Sequence, residues 1–126
     1  MQRIKVLIAM LALTCSFGPV RAGDSTRELP WSSVHLNGMH LRLLSPKEKD
    51  ASQDLYFGNG SLAIDSCRNG FCTGPLTVWK IENNRLKTGY APSEGDALVE
   101  FTAEKIVLRN PDGKVYIYAI VPKGHT

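Results

Sequence analysis

The chain has 126 residues, 43% of them hydrophobic, with 15 Lys and Arg against 12 Asp and Glu. The positive surplus sits at Arg3, Lys5 and Arg21, while every acidic residue follows residue 22, so the rest of the chain is formally neutral. That balance excludes a nucleic acid as partner, because such binders need a basic surplus to displace counterions.

Residues 1–22 read as an export signal. Arg3 and Lys5 precede an apolar run at 6–13 (VLIAMLAL), Gly18-Pro19 breaks the helix, and Val20-Arg21-Ala22 offers a peptidase site. A run this short cannot span a bilayer, and no later segment is apolar enough to do so. The expected location is therefore the periplasm or the extracellular space. Cys15 falls within the signal. A flexible segment is expected at 23–30, a single β domain at 31–122 and a short tail at 123–126.

The first polar constellation is His35 and His40. With Asn37-Gly38 as a two-residue hairpin turn, Leu36 pairs with Met39 and His35 falls opposite His40. Imidazoles so placed have Cβ atoms about 4.5–5.5 Å apart, near enough to share a Zn²⁺ or Cu²⁺ ion. The third ligand would be His125 or a carboxylate from another strand. Arg42 shares that face and opposes a cation, and the alternatives are an ordinary wet face or a pH-sensitive contact.

Turn residues then punctuate an alternating chain. Asn59-Gly60 pairs Phe57 with Leu62 and Leu55 with Ile64. Asn69-Gly70 places Cys67 opposite Cys72 and Leu62 opposite Thr77; two cysteines in an exported chain read as a disulfide. Asn83-Asn84 pairs Ile81 with Leu86, Trp79 with Thr88 and, at a small cost, Lys80 with Lys87. Ala103-Glu104 pairs Phe101 with Ile106 and Val99 with Leu108, and Pro111-Asp112-Gly113 leads into the last strand. These registers agree on which face is apolar, and a one-residue slip would invert any of them.

The fold expected is all-β: a small up-and-down antiparallel β-barrel or meander of about eight to nine strands, since closure removes exposed edges. In size and order it resembles a small lipocalin at the level of fold. Trp31-Ser32-Ser33 departs from the lipocalin Gly-x-Trp opening, and Lys87-Thr88-Gly89-Tyr90 departs from the Ser-Gly-x-x-Tyr loop of periplasmic lysozyme inhibitors. Phe57, Trp79, Tyr90, Phe101, Tyr116 and Tyr118 are expected inside, with Leu55, Leu62, Ile64, Ile81, Leu86, Val99, Ile106 and Leu108. They either fill the barrel or line a cup for a small apolar or amphipathic ligand.

The last strand, Val115–Val121, is apolar on both faces. Its outer row calls for a cover: residues 23–31 with Leu29 and Trp31, a homodimer through this strand, or a protein partner. Two functions follow, a binding protein holding a small ligand or an interaction module such as an inhibitor, immunity or assembly accessory protein. No nucleophile stands in a recognisable motif, so an enzyme is not expected.

Overall fold

The computed structural model describes residues 27–123. The expected export signal at 1–22 and the third candidate metal ligand, His125, lie outside the described residues. Within them the chain is all-β, with a short 3-10 turn at Trp31–Ser33 ahead of nine strands. These are β1 (His40–Ser45), β2 (Ala51–Phe57), β3 (Ser61–Arg68), β4 (Phe71–Thr73), β5 (Leu76–Glu82), β6 (Arg85–Thr88), β7 (Ala97–Phe101), β8 (Lys105–Arg109) and β9 (Val115–Val121). The sheet runs β6-β5-β3-β2-β1-β9-β8-β7, all antiparallel, with β4 added on β3. The first strand pairs with the last, and the barrel is nearly closed where β6 meets β7.

Three predicted hairpins form in the predicted register. Phe57 faces Leu62 and Leu55 faces Ile64; Leu62 faces Thr77; Ile81 faces Leu86 and Trp79 faces Thr88. Asn69 (φ 52°) and Gly70 (φ 82°) both take the positive φ that a type I′ turn demands. Phe101 also faces Ile106, but β7 carries a bulge at Val99. Leu98, not Val99, therefore lies opposite Leu108 and is fully buried. A bulge adds one residue to one strand, so alternation counted through it fails by one.

The Asn37-Gly38 hairpin is not formed. The turn exists, with the Met39 amide donating to the Leu36 carbonyl at 2.8 Å and Gly38 at φ 91°. Asn37 is absent from the positive-φ residues, and type I′ needs both. The chain before the turn does not pair with β1; His40 faces Tyr56 on β2 and Val121 on β9 instead.

Residues 28–31 strap the weak seam. The only bridge from β6 to β7 is the reciprocal pair Leu86 and Asp96, each amide 2.9 Å from the other's carbonyl. Gly95 (φ 84°) makes that approach possible: a Cβ there would stand 2.9 Å from Leu86 O and from Arg85 Cβ. Leu29 N donates to Leu98 O at 2.7 Å, and the Asn84 side chain accepts from Trp31 N at 2.8 Å while donating to Leu29 O at 3.2 Å. The Trp31 indole is buried and donates to Asp96 O at 3.1 Å. Glu28 joins Arg85 and Arg109 in ion pairs. These contacts tie residues 28–31 to the barrel. Leu29 and Trp31 cover this seam rather than the outer row of β9.

The core gathers Trp31, Val34, Leu36, Leu41, Leu55, Phe57, Leu62, Leu86, Leu98, Ile106, Leu108 and Tyr118 into one cluster. The inward positions are filled by side chains, and Trp31, expected as cover for the outer row of β9, is instead the largest of those fully buried.

Candidate functional site

The outward side of β1 and β2 carries a connected polar cluster. Leu41 and Leu43 on β1, and Leu55 and Phe57 on β2, face the core. Alternation then turns His40, Arg42, Asp54 and Tyr56 outward, and the register sets His40 beside Tyr56 and Arg42 beside Asp54. The His40 ring stacks on Tyr56, with centroids 4.1 Å apart and planes 26° apart. His40 Nε2 lies 2.6 Å from Asp54 Oδ2. Arg42 donates to the same oxygen through Nε at 3.2 Å and Nη2 at 3.0 Å.

Asp54 is the only buried charged residue among those described. Burial pushes its carboxyl up, but the hydrogen bonds from Arg42 and His40, with their charges, outweigh that and hold it below the usual range. The cluster ties four side chains together and leaves Tyr56 43% exposed.

An apolar row runs through this cluster. Cross-strand neighbours place Val121, His40, Tyr56, Ala63 and Leu76 side by side across β9, β1, β2, β3 and β5. Leu44 on β1 and Val115 on β9 are also exposed. β9 contributes its outer residues as the sequence suggested, but β1 and β8 take both of its edges, so it has no free ladder for a second chain.

The other expected site residues separate. Cys67 and Cys72 form the disulfide, with Cα atoms 4.0 Å apart. Phe57 and Tyr118 are buried, and Trp79, Phe101 and Tyr116 pack half-buried against the core. Trp79 meets Phe57 edge-on and spends its indole N–H on Gly58 O at 2.8 Å. Tyr90 is not inside: Gly89 (φ 89°) turns the chain away after β6, leaving Tyr90 82% exposed beside a surface cleft of ≈520 Å³. Ile81 is likewise exposed. Lys80 and Lys87 do face each other, and Glu82 answers both at 3.7 and 2.9 Å.

The shared-metal geometry is not formed. His35 and His40 line one shallow apolar depression of ≈230 Å³ with Met39, Ile120, Val121 and Lys123, but they are not cross-strand partners. His40 Nε2 is engaged by Asp54, and no group of three or more potential ligands occurs among the described residues.

Sequence reasoning misses Asp54 and Tyr56 because Asn37-Gly38, taken as a two-residue hairpin turn, assigns His40 a partner at His35 rather than on β2. Their partners on β1 therefore stayed hidden. The available signal was a polar Asp alternating with Leu55 and Phe57. No protein-family model matches this chain, and no curated protein or solved structure matches it either.

Proposed function

We propose that this is an exported, disulfide-stapled β-barrel that binds another protein through the outward face of β9, β1, β2, β3 and β5. The observation carrying this reading is Tyr56, held half-exposed by its stack on His40 within the Asp54–Arg42 cluster. Aromatic and Arg side chains fixed before binding are the usual anchors of protein interfaces, because little conformational freedom is left to lose. The apolar neighbours Ala63, Leu76 and Val121 supply area around the anchor.

A small ligand inside the barrel fits less well, since Trp31 and the core cluster occupy that space. The reading assigns no reaction to the chain. Export rests on residues 1–22 and agrees with a disulfide and with the absence, among the described residues, of a helix able to cross a membrane.

A photoreactive phenylalanine analogue in place of Tyr56, in protein exported by its own signal, is the direct test. One discrete protein adduct is expected, with none from the same probe at Asp112 on an exposed turn. Arg42→Ala should reduce the adduct. Equal labelling from both positions would sink the reading.

A further inference from the structure

Strand β4 and the start of β5 have an open edge. Among the described residues β4 pairs only with β3, and β6 joins β5 only from Trp79 onward. The Gly89 amide donates to Val78 O at 2.8 Å, and there the neighbouring strand ends. Among the described residues, 71–77 thus have β3 on one side and no strand on the other.

The ladder tells which backbone groups face outward. Arg68 and Phe71 close a two-residue turn and are hydrogen-bonded partners, so Phe71, Thr73, Pro75 and Thr77 direct their groups toward β3. Ile64 N donating to Pro75 O at 2.9 Å has the same phase. Cys72, Gly74 and Leu76 therefore direct theirs to the open side. The N–H that Pro75 lacks belongs to the β3 side, so the outer ladder is intact.

Edges are normally guarded by charge, and this one is not. No Lys, Arg, Asp or Glu lies between Phe71 and Val78. Instead it gathers the three most exposed large hydrophobic residues described: Phe71 (77%) at one end, Leu76 (72%) within it, and Tyr90 just past Gly89 at the other.

We propose that a second copy of this chain pairs antiparallel along this edge, about a two-fold axis at Gly74. The open stretch is centred there, so Gly74 meets its own copy and Cys72 meets Leu76, giving about six main-chain hydrogen bonds. A two-fold pairing sets each residue against its mirror position, and an uncharged stretch is what such self-matching tolerates. It also carries Phe71 of each copy toward the Gly89-Tyr90 end of the other, covering both aromatic side chains. Gly74 itself stands clear, with only Ile64 O, at 3.7 Å, near a would-be Cβ.

Sedimentation equilibrium on the disulfide-intact chain over a dilution series tests this. A reversible monomer–dimer equilibrium is expected. Gly74→Asp and Gly74→Lys should each weaken it at least about tenfold, because like charges then face each other at the axis. Mixing the two variants should restore association as a heterodimer. Circular dichroism matching the original chain would show the barrel intact, and Tyr56 labelling, which depends on His40, Arg42 and Asp54 rather than on Gly74, should persist in both variants even though Leu76 borders both surfaces. A chain that stays monomeric, charged variants that still dimerise, or a mixture that does not associate would overturn the proposal.

Discussion

Asp54 and Asp96 respond to burial in opposite ways. At Asp54 burial raises the carboxyl, yet Arg42 and His40 more than reverse it, so the folded value lies below the ordinary 3.8. Its stabilisation is present above pH 3.8 and is lost as pH falls through the lower folded value. At Asp96 burial alone pushes the carboxyl up. The folded state then holds a proton that the unfolded state has released, and stability falls as pH rises from 3.8 through the folded value. The same neighbourhood pushes Tyr118 to about 12, through burial and then the charges of Asp96 and Tyr116. Asp54→Asn should therefore cost about 2 kcal/mol at neutral pH and flatten the acid limb of the stability curve. Asp96→Asn should leave the protein as stable or more so at neutral pH. Urea midpoints from pH 3 to 8 separate the two, and parallel losses in both variants would contradict the assignment. Neither residue stood out in the sequence: a carboxylate's environment comes from strands remote in the chain, which alternation alone does not align.

At the scale of elements, the turns carried most of the legible information. Asn-Gly and Asn-Asn positions set the registers of β2–β3, β3–β4 and β5–β6, because each fixes a loop length and a loop length fixes a pairing. The reading failed where a local irregularity intervened, at the Val99 bulge and after Gly89, and where one dipeptide supported two turn types, at Asn37-Gly38. The disulfide belongs to the legible part. It closes a loop of sequence separation five, which restricts the unfolded chain only slightly. Cys67→Ala should lower unfolding stability by about 2 kcal/mol, measured by denaturant titration against the same protein with its bridge intact. A loss far beyond that would mean that the hairpin organises more of the barrel than its own ladder. Protein purified under oxidising conditions should meanwhile show no free thiol from Cys67 or Cys72.

The whole molecule closes at two unequal places. β9 and β1 join through a ladder with partners from His40 to Ser45, whereas β6 and β7 share only the Leu86–Asp96 bridge. The strap from Glu28 to Trp31 reinforces that weaker place from outside the meander, through Asn84, Leu98 and Asp96. Nothing in the composition of residues 27–31 marks them for this. Leu29 and Trp31 read equally well as cover for any apolar surface, and only the three-dimensional closure selects the seam. Trp31→Ala should cost about 3–5 kcal/mol, since a fully buried ring leaves a cavity the barrel cannot wholly refill. Trp31→Phe keeps most of the packing but loses the bond to Asp96 O, and should cost nearer 1 kcal/mol beyond the change in volume. Hydrogen exchange locates the effect. The amides of Leu86 and Asp96, which bridge the seam, should lose protection in both variants before those of Leu55 and Leu41 in the continuous part of the sheet. If protection fell evenly around the barrel, Trp31 would be an ordinary core residue. If it fell at the seam first, the strap from Glu28 to Trp31 is what keeps an open meander shut.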